Sequence, residues 1–324
     1  MDLLRAAPPP LVAPALPRLL TADTVGEAER LAELEDELLR LRPGIFATTD
    51  PNGSVAIARR DLVLARTAAA WANVDSAVWF SHETAAVLRG MWTYRLADRV
   101  HLTQLYPPQV RREDDSWEHR YRVTRHWTAL PPRDRDVVGG LPVTSLERTA
   151  ADCARSLPLA SALVVMDCAL HHGADRGLVA RIIDESRGKR GVVQARQVFA
   201  LADAGAESPG ESLVRLRVIQ AGLPRPVTQV PVVTARGTKW VDLGWPDARV
   251  GLEFDGEIKY TALADGDPEG VRRRERVRQA AIEDQDWRIV RSDWPDVDEP
   301  AGVGRQLRRA LKGRWQHVLG SRDG

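Results

Sequence analysis

Apolar positions change period several times along the chain, and the changes mark its elements. Leu31, Leu34, Leu38 and Leu41 recur at helical spacing over Thr24 to Arg42, and Pro43-Gly44 stops that run. Ile45-Phe46-Ala47 reads as a short strand entering the turn Asp50-Pro51-Asn52-Gly53. Asp61 to Ala72 reads as a second helix, and Thr84 to Gly90 as a third, capped by Ser81 and closed by Gly90. Val100 to Thr103 and Tyr121 to Thr124 alternate like strands, with a charged loop from Arg111 to Glu118 between them. Thr144 and Glu147 have capping-box spacing, and helices are expected over about 159–171, 176–186 and 191–203.

The last third has a legible order. Ser208 to Ala221 is helical and Gly222 stops it; Val227 to Val233, Lys239 to Leu243 and Val250 to Phe254 read as strands. Gly270 to Asp284 is helical, Trp287 to Val290 a strand, and Gly302 to Trp315 helical. Helix, three strands, helix, strand and helix make an α/β core with a mixed sheet. A chain of 324 residues suits two domains, and Ala204-Gly205 is the best boundary. The expected division is a proline-rich tail over 1–20, extended or disordered, a mixed α/β region over 21–204, a second domain over 206–315, and a tail over 316–324.

Composition narrows the picture little. With 44% hydrophobic and 28% charged residues the chain can bury sizeable cores, and a formal net charge of +1 leaves any nucleic-acid argument to local patches. Cys153 and Cys168 stand alone without CxxC spacing, which argues against a zinc site or a disulfide framework. The most apolar run, Ala160 to Leu170, contains Asp167 and is too short to span a bilayer. The start Met-Asp-Leu-Leu-Arg followed by Pro8-Pro9-Pro10 is unlike a signal peptide, so a cytoplasmic protein without a membrane partner is expected.

The candidate chemistry lies in Trp240 to Trp245 and Val250 to Lys259. Asp242, Glu253 and Asp255 sit within apolar, strand-like runs, where an unpaired carboxylate is costly. Strand geometry puts Glu253 and Asp255 on one face, and Asp242 reaches the same edge if its strand pairs alongside. Three converging carboxylates would suit Mg²⁺ or Mn²⁺. The alternative is that Asp255-Gly256 makes a turn while Asp242 and Glu253 pair with arginines; spacing alone divides the two evenly. Glu211 has two readings also, since Ser208-Pro209-Gly210-Glu211 is a capping box. Arg272, Arg273, Arg274, Arg276 and Arg278 crowd one helix, and Arg272, Arg273 and Arg276 could lie along a phosphate backbone or face solvent. Trp287 and Trp294 read as sheet packing. His82 beside Glu83 reads as a capping or packing histidine, with a catalytic dyad as the alternative, and His171-His172 lacks further ligands at metal spacing.

The series helix acid, Val-Asp242-Leu, Leu-Glu253-Phe-Asp255-Gly256, basic helix and Trp-Arg-Ile-Val-Arg resembles the PD-(D/E)XK nuclease superfamily, in its branch similar to very-short-patch repair endonucleases. The resemblance covers roughly residues 207–312. It implies a restriction-endonuclease-like mixed sheet flanked by helices, with Asp242 and Glu253 holding Mg²⁺ (or Mn²⁺), Asp255 ancillary and Glu211 supporting. The family signature puts Lys two residues after Glu253, where this chain has Asp255; Lys259 is the nearest substitute for orienting the attacking water.

The preceding region resembles the AbiEi-type antitoxins of type IV toxin–antitoxin systems, in Leu38 to Ala47, Ser81-His82-Glu83-Thr-Ala-Ala, Val100-His101-Leu-Thr and Gly140 to Thr149. That likeness implies a winged helix-turn-helix, promoter DNA and a cognate toxin protein as partners. Glu27, Glu29, Glu33, Glu35, Asp36 and Glu37 would repel phosphates, however, and the Gly44 hairpin is the part preserved. The expected function is Mg²⁺-dependent hydrolysis of DNA phosphodiesters with no small-molecule cofactor. Its alternative is a non-catalytic antitoxin or DNA-binding regulator with a silent nuclease fold.

Overall fold

A computed structural model describes residues 7–22, 26–27, 30, 38–42, 44–48, 54–74, 76–107, 119, 121–256, 268–298, 300–312 and 314. The chain is mixed α/β and divides into two compact units, Met1–Ala202 and Asp203–Gly324.

The first unit opens with an extended segment, not a regular element, and Leu16 from it packs on the hydrophobic core. Strands β1 (Leu19–Thr21), β2 (Leu38–Arg42) and β3 (Ile45–Thr48) form an antiparallel sheet in the order β1-β3-β2. Leu38–Arg42 is therefore a strand, against the helix expected through Arg42. Pro43 stops a helix, and Gly44 at φ +75° turns the chain back so that β2 satisfies its backbone on β3. Residues 31–37, which carry Leu31 and Leu34 of the helical stripe, and the loop 111–118 lie outside the described residues.

Helix α1 (Val55–Trp71) begins six residues before the expected start because Ser54 caps it, its hydroxyl accepting from the Ile57 amide. A five-stranded sheet follows in the order β6-β5-β4-β8-β7, built from β4 (Trp79–Phe80), β5 (Val100–Gln104), β6 (Val123–Trp127), β7 (Arg135–Val138) and β8 (Leu141–Thr144). Phe80, Val100, Leu102 and Val143 from this sheet bury against Leu64 of α1 and Ala85 of α2 (His82–Leu88). Helices α3 (Leu146–Ser156), α4 (Leu159–His171), α5 (Arg176–Glu185) and α6 (Val192–Leu201) complete the unit. All of Ser161 to Leu170 in α4 is buried, which accounts for its lack of a polar face. The expected Thr144–Glu147 box is displaced by one residue: Ser145 caps α3 by accepting from the Arg148 amide, and Glu147 instead accepts from the Asp175 amide.

The second unit runs α7 (Pro209–Gln220), β9 (Val227–Thr234), β10 (Gly237–Trp245), β11 (Val250–Phe254), α8 (Pro268–Glu283), β12 (Arg288–Ser292), α9 (Trp294–Asp298) and α10 (Pro300–Leu311). Its mixed sheet has the order β12-β11-β10-β9, with β11 and β12 parallel and the other pairs antiparallel. Every residue of β11 is buried, as an inner strand covered on both faces requires. Val230, Val232, Val241 and Ile282 form a core against which Trp287 and Ile289 pack. Trp294 stands edge-on to Phe254, with ring centroids 5.2 Å apart. Among the described residues, no helix is long and apolar enough to cross a membrane.

Candidate functional site

The acids picked out in the sequence fall on α7, β10 and β11 of the second unit. Glu211 is buried at the third position of α7. Its Oε1 accepts from the Ser208 hydroxyl at 2.9 Å, while its amide donates to that same hydroxyl at 3.2 Å. The other oxygen accepts from the Glu207 amide at 2.9 Å and from Gln229 Nε2 at 3.1 Å. Those bonds make it a capping-box glutamate that also ties α7 to β9.

Asp242 lies on β10, just before the stretch that pairs with β11, and its Oδ2 accepts from the Phe254 amide at 3.0 Å. Glu253 is 5% exposed on β11. Arg278 of α8 places Nη2 2.7 Å from its Oε1, and Arg291 of β12 places Nη2 3.9 Å from Oε2. The Arg278 approach is short but poorly aligned for a hydrogen bond, so charge attraction is the main tie to the buried Glu253 Oε1. Asp255 continues the parallel pairing, its amide donating to Ser292 O at 2.7 Å, and its Oδ2 lies 3.2 Å from Arg291 Nη1. Arg291 thus touches both Glu253 and Asp255, which share a face as alternation requires.

Glu275 closes the cluster. It accepts from Arg278 Nε and Nη2 at 3.1 and 2.9 Å and from Arg291 Nη2 at 3.1 Å. Around two guanidiniums stand Glu253, Asp255 and Glu275, with Asp242 beside them. Burial pushes the Glu253 carboxyl up, Asp242 and Glu275 push it further, and Arg278 only partly offsets them. Glu275 sits below the ordinary carboxylate range, since its bonds to Arg278 and Arg291 outweigh its burial. The expected convergence of carboxylates is not formed. Among the described residues, no three acids bring their oxygens within 4.8 Å of one another. A guanidinium stands at the Glu253 oxygen where the metal reading put a divalent ion.

Lys259 lies outside the described residues, as does the side chain of Arg272. Arg273, Arg274 and Arg276 are exposed on α8, with no carboxylate partner among the described residues. Arginine pairing of the acids was one of two even readings of the sequence, and the structure gives Glu253 its arginines, Arg278 and Arg291; Glu275 and the identity of those arginines were not read from the sequence. Their only signal was the surplus of acids in β10 and β11, which had to be met by cations from somewhere in the fold.

No family model matches the chain. It is 36% identical over 177 residues to each of two uncharacterized proteins of Mycobacterium tuberculosis, one from strain CDC 1551/Oshkosh and one from strain ATCC 25618/H37Rv. The match covers 54% of this chain and 63% of each relative, so the chain spans just under two thirds of the proteins it matches.

Proposed function

We propose that the chain is a DNA-binding protein in which the nuclease-like acid cluster is closed by arginines, so that it binds without cleaving. The observation that carries this reading is Arg278 Nη2 at 2.7 Å from Glu253 Oε1, because a guanidinium there competes directly with a divalent ion. Glu211 is committed to its helix cap, and Asp242 to the Phe254 amide. DNA phosphates would meet the exposed Arg273, Arg274 and Arg276. A DNA-directed role places the protein in the cytoplasm, and the antitoxin resemblance adds a cognate toxin protein as a proposed partner.

A second reading, Mg²⁺-dependent DNA hydrolysis, rests on the buried Glu253 Oε1 without a hydrogen bond and on the local surplus of negative charge. Asp242, Glu253 and Asp255 would then hold the ion once Arg278 had withdrawn. Mg²⁺ bound there supplies an activated water and stabilises charge developing on the phosphodiester.

Anisotropy of a labelled duplex, titrated with protein in EDTA and in Mg²⁺ at several salt concentrations, separates the two. Binding that ignores Mg²⁺, with a salt slope reduced by about 2 in an Arg273→Ala/Arg276→Ala variant, is the expected result. Absence of binding overturns both readings. Metal-dependent cleavage lost in Asp242→Ala/Glu253→Ala would replace the first reading with the second.

A further inference from the structure

Three histidines far apart in sequence meet in the first unit, and none belongs to the acid cluster of the second. His82 opens α2, His101 lies on β5 and His126 on β6, and one ring nitrogen from each lies within 4.8 Å of the other two. The parallel register pairs His101 with Thr124 and Thr103 with His126, which puts both histidines on one face of the sheet. His101 Nδ1 and His126 Nε2 stand 2.9 Å apart, and the His82 ring lies over His126 with centroids 3.9 Å apart.

The surroundings are organised toward this cluster at a cost to local structure. His82 sits at φ +53°, a region that a non-glycine residue enters only when its surroundings impose it. Ser81 occupies the N-cap position of α2, yet its hydroxyl makes no cap bond to the helix. That oxygen instead bonds His82 Nδ1 at 2.9 Å and receives the Thr103 hydroxyl at 2.8 Å. Thr84 in turn holds β5, its Oγ1 accepting from the His101 amide at 2.9 Å. An outer hydroxyl that fixes one ring nitrogen and leaves Nε2 for coordination is the arrangement metal-binding imidazoles use.

We propose that His82, His101 and His126 form a binding site for a divalent transition ion, Zn²⁺, with a coordination position left open. Imidazole nitrogens select Zn²⁺ over Mg²⁺, so this site is chemically distinct from the acid cluster. The 2.9 Å contact between His101 and His126 requires a shared proton. An ion bound between them would displace that proton to the other nitrogen of the same ring, leaving both imidazoles neutral, and bonds of about 2.1 Å at a tetrahedral angle need the two ligating nitrogens roughly 3.4 Å apart. The rings therefore open slightly on loading, with His82 tilting toward the gap. The sequence expectation of no zinc site rested on cysteine spacing, which does not bear on histidine ligands, and histidines spread over three elements leave no short motif to read.

The test is calorimetric titration of Zn²⁺ into the full chain after removal of metals by a chelator. Uptake of about one ion per chain is expected, together with a raised Tm and a visible spectrum of tetrahedral type when Co²⁺ replaces Zn²⁺. His101→Gln and His126→Gln should each weaken uptake by at least about 100-fold, and Ser81→Ala by about 10-fold. His171→Ala/His172→Ala should bind as the wild type does. Failure of the wild type to take up zinc overturns the proposal whatever the folding of the variants. So does uptake that survives in a folded His101→Gln/His126→Gln protein, or that is lost only in the His171→Ala/His172→Ala one.

Discussion

Arg278 faces two acids from a single guanidinium: Nη2 stands 2.7 Å from Oε1 of Glu253 on β11, and Nε and Nη2 both bond Glu275 one turn away on its own helix. Its Nη1 also donates to Trp240 O at 2.9 Å, so one side chain fastens α8 to two strands. Removing it strands a buried carboxylate among Asp242 and Glu275, whose charges add to the penalty. Arg278→Met should cost about 2–4 kcal/mol in urea unfolding, with the lower end favoured because Arg278 keeps partial contact with water. Glu253→Gln should cost less, because Arg278 keeps Glu275 and the Trp240 carbonyl. Equal losses in the two variants would mean that the contact contributes packing rather than charge compensation.

A buried network in the first unit makes a stronger demand. Arg148 is 5% exposed and bridges Asp134 Oδ2 at 2.9 Å and Asp152 Oδ2 at 2.8 Å, with both carboxylates buried as well. Burial alone would lower the Arg148 pKa, yet the two carboxylates raise it above the ordinary value. Arg148→Met leaves two buried acids with only the peripheral Arg133 and Arg155 as cationic partners and should destabilise by about 3–5 kcal/mol. Adding Asp152→Asn to that variant should restore part of the loss, and a double-mutant cycle measures the coupling. Additive losses would show that Arg148 and Asp152 do not act as a pair.

Much of the second unit was legible because its elements carry strong local signals. Ser208 and Gly222 bracket α7 on either side of Pro209–Gln220, and the largely apolar run of β11, interrupted only by Glu253, matches a strand with two covered faces. The first unit was harder where local signals conflict. Leu38 and Leu41 extend a helical stripe, yet Pro43 and Gly44 dictate a hairpin, and backbone pairing decides the outcome for Leu38–Arg42. Strand β4 has only Trp79 and Phe80, too few for any period to register. The candidate sites divide in the same way. Spacing put Asp242, Glu253 and Asp255 on adjoining strands, but the identity of their partners depends on how α8 and β12 dock. His101 and His126 each look like ordinary strand residues until the β5–β6 register sets them side by side.

Asp203 gives a pH signature. Burial alone would raise its carboxyl, but bonds from the Gly205 amide and the Thr228 hydroxyl, both 2.9 Å to Oδ1, hold it below the ordinary value with help from Arg215 and Arg225. A depressed folded-state pKa means that the unfolded chain binds the proton more readily. The resulting stability is present above the unfolded value, near 3.8, and disappears as pH falls through the lower folded value. Asp203→Asn should therefore cost about 1–2 kcal/mol at pH 7, with the difference from wild type narrowing below about pH 4. A difference that stays constant down to pH 3 would assign the loss to altered geometry instead of to charge.

Gly210 bears directly on the acid cluster. It is the second residue of α7, and a methyl group built on its Cα would overlap the ring of Phe254, the residue between Glu253 and Asp255. That ring is already set edge-on against Trp294, so it has little room to retreat. Gly210→Ala gains helix propensity but forces Phe254 off its position, and overpacking of this kind typically costs about 1–3 kcal/mol. The displacement should extend along β11 to the Phe254 amide, which donates to Asp242 at 3.0 Å. Thermal unfolding should show a Tm lowered by several degrees, and amide exchange at Phe254 should quicken more than at Leu216 in the middle of α7. If Phe254→Leu in the Gly210→Ala background restores the Tm, the ring contact is the cause; if it lowers the Tm further, the strain lies in the helix start itself.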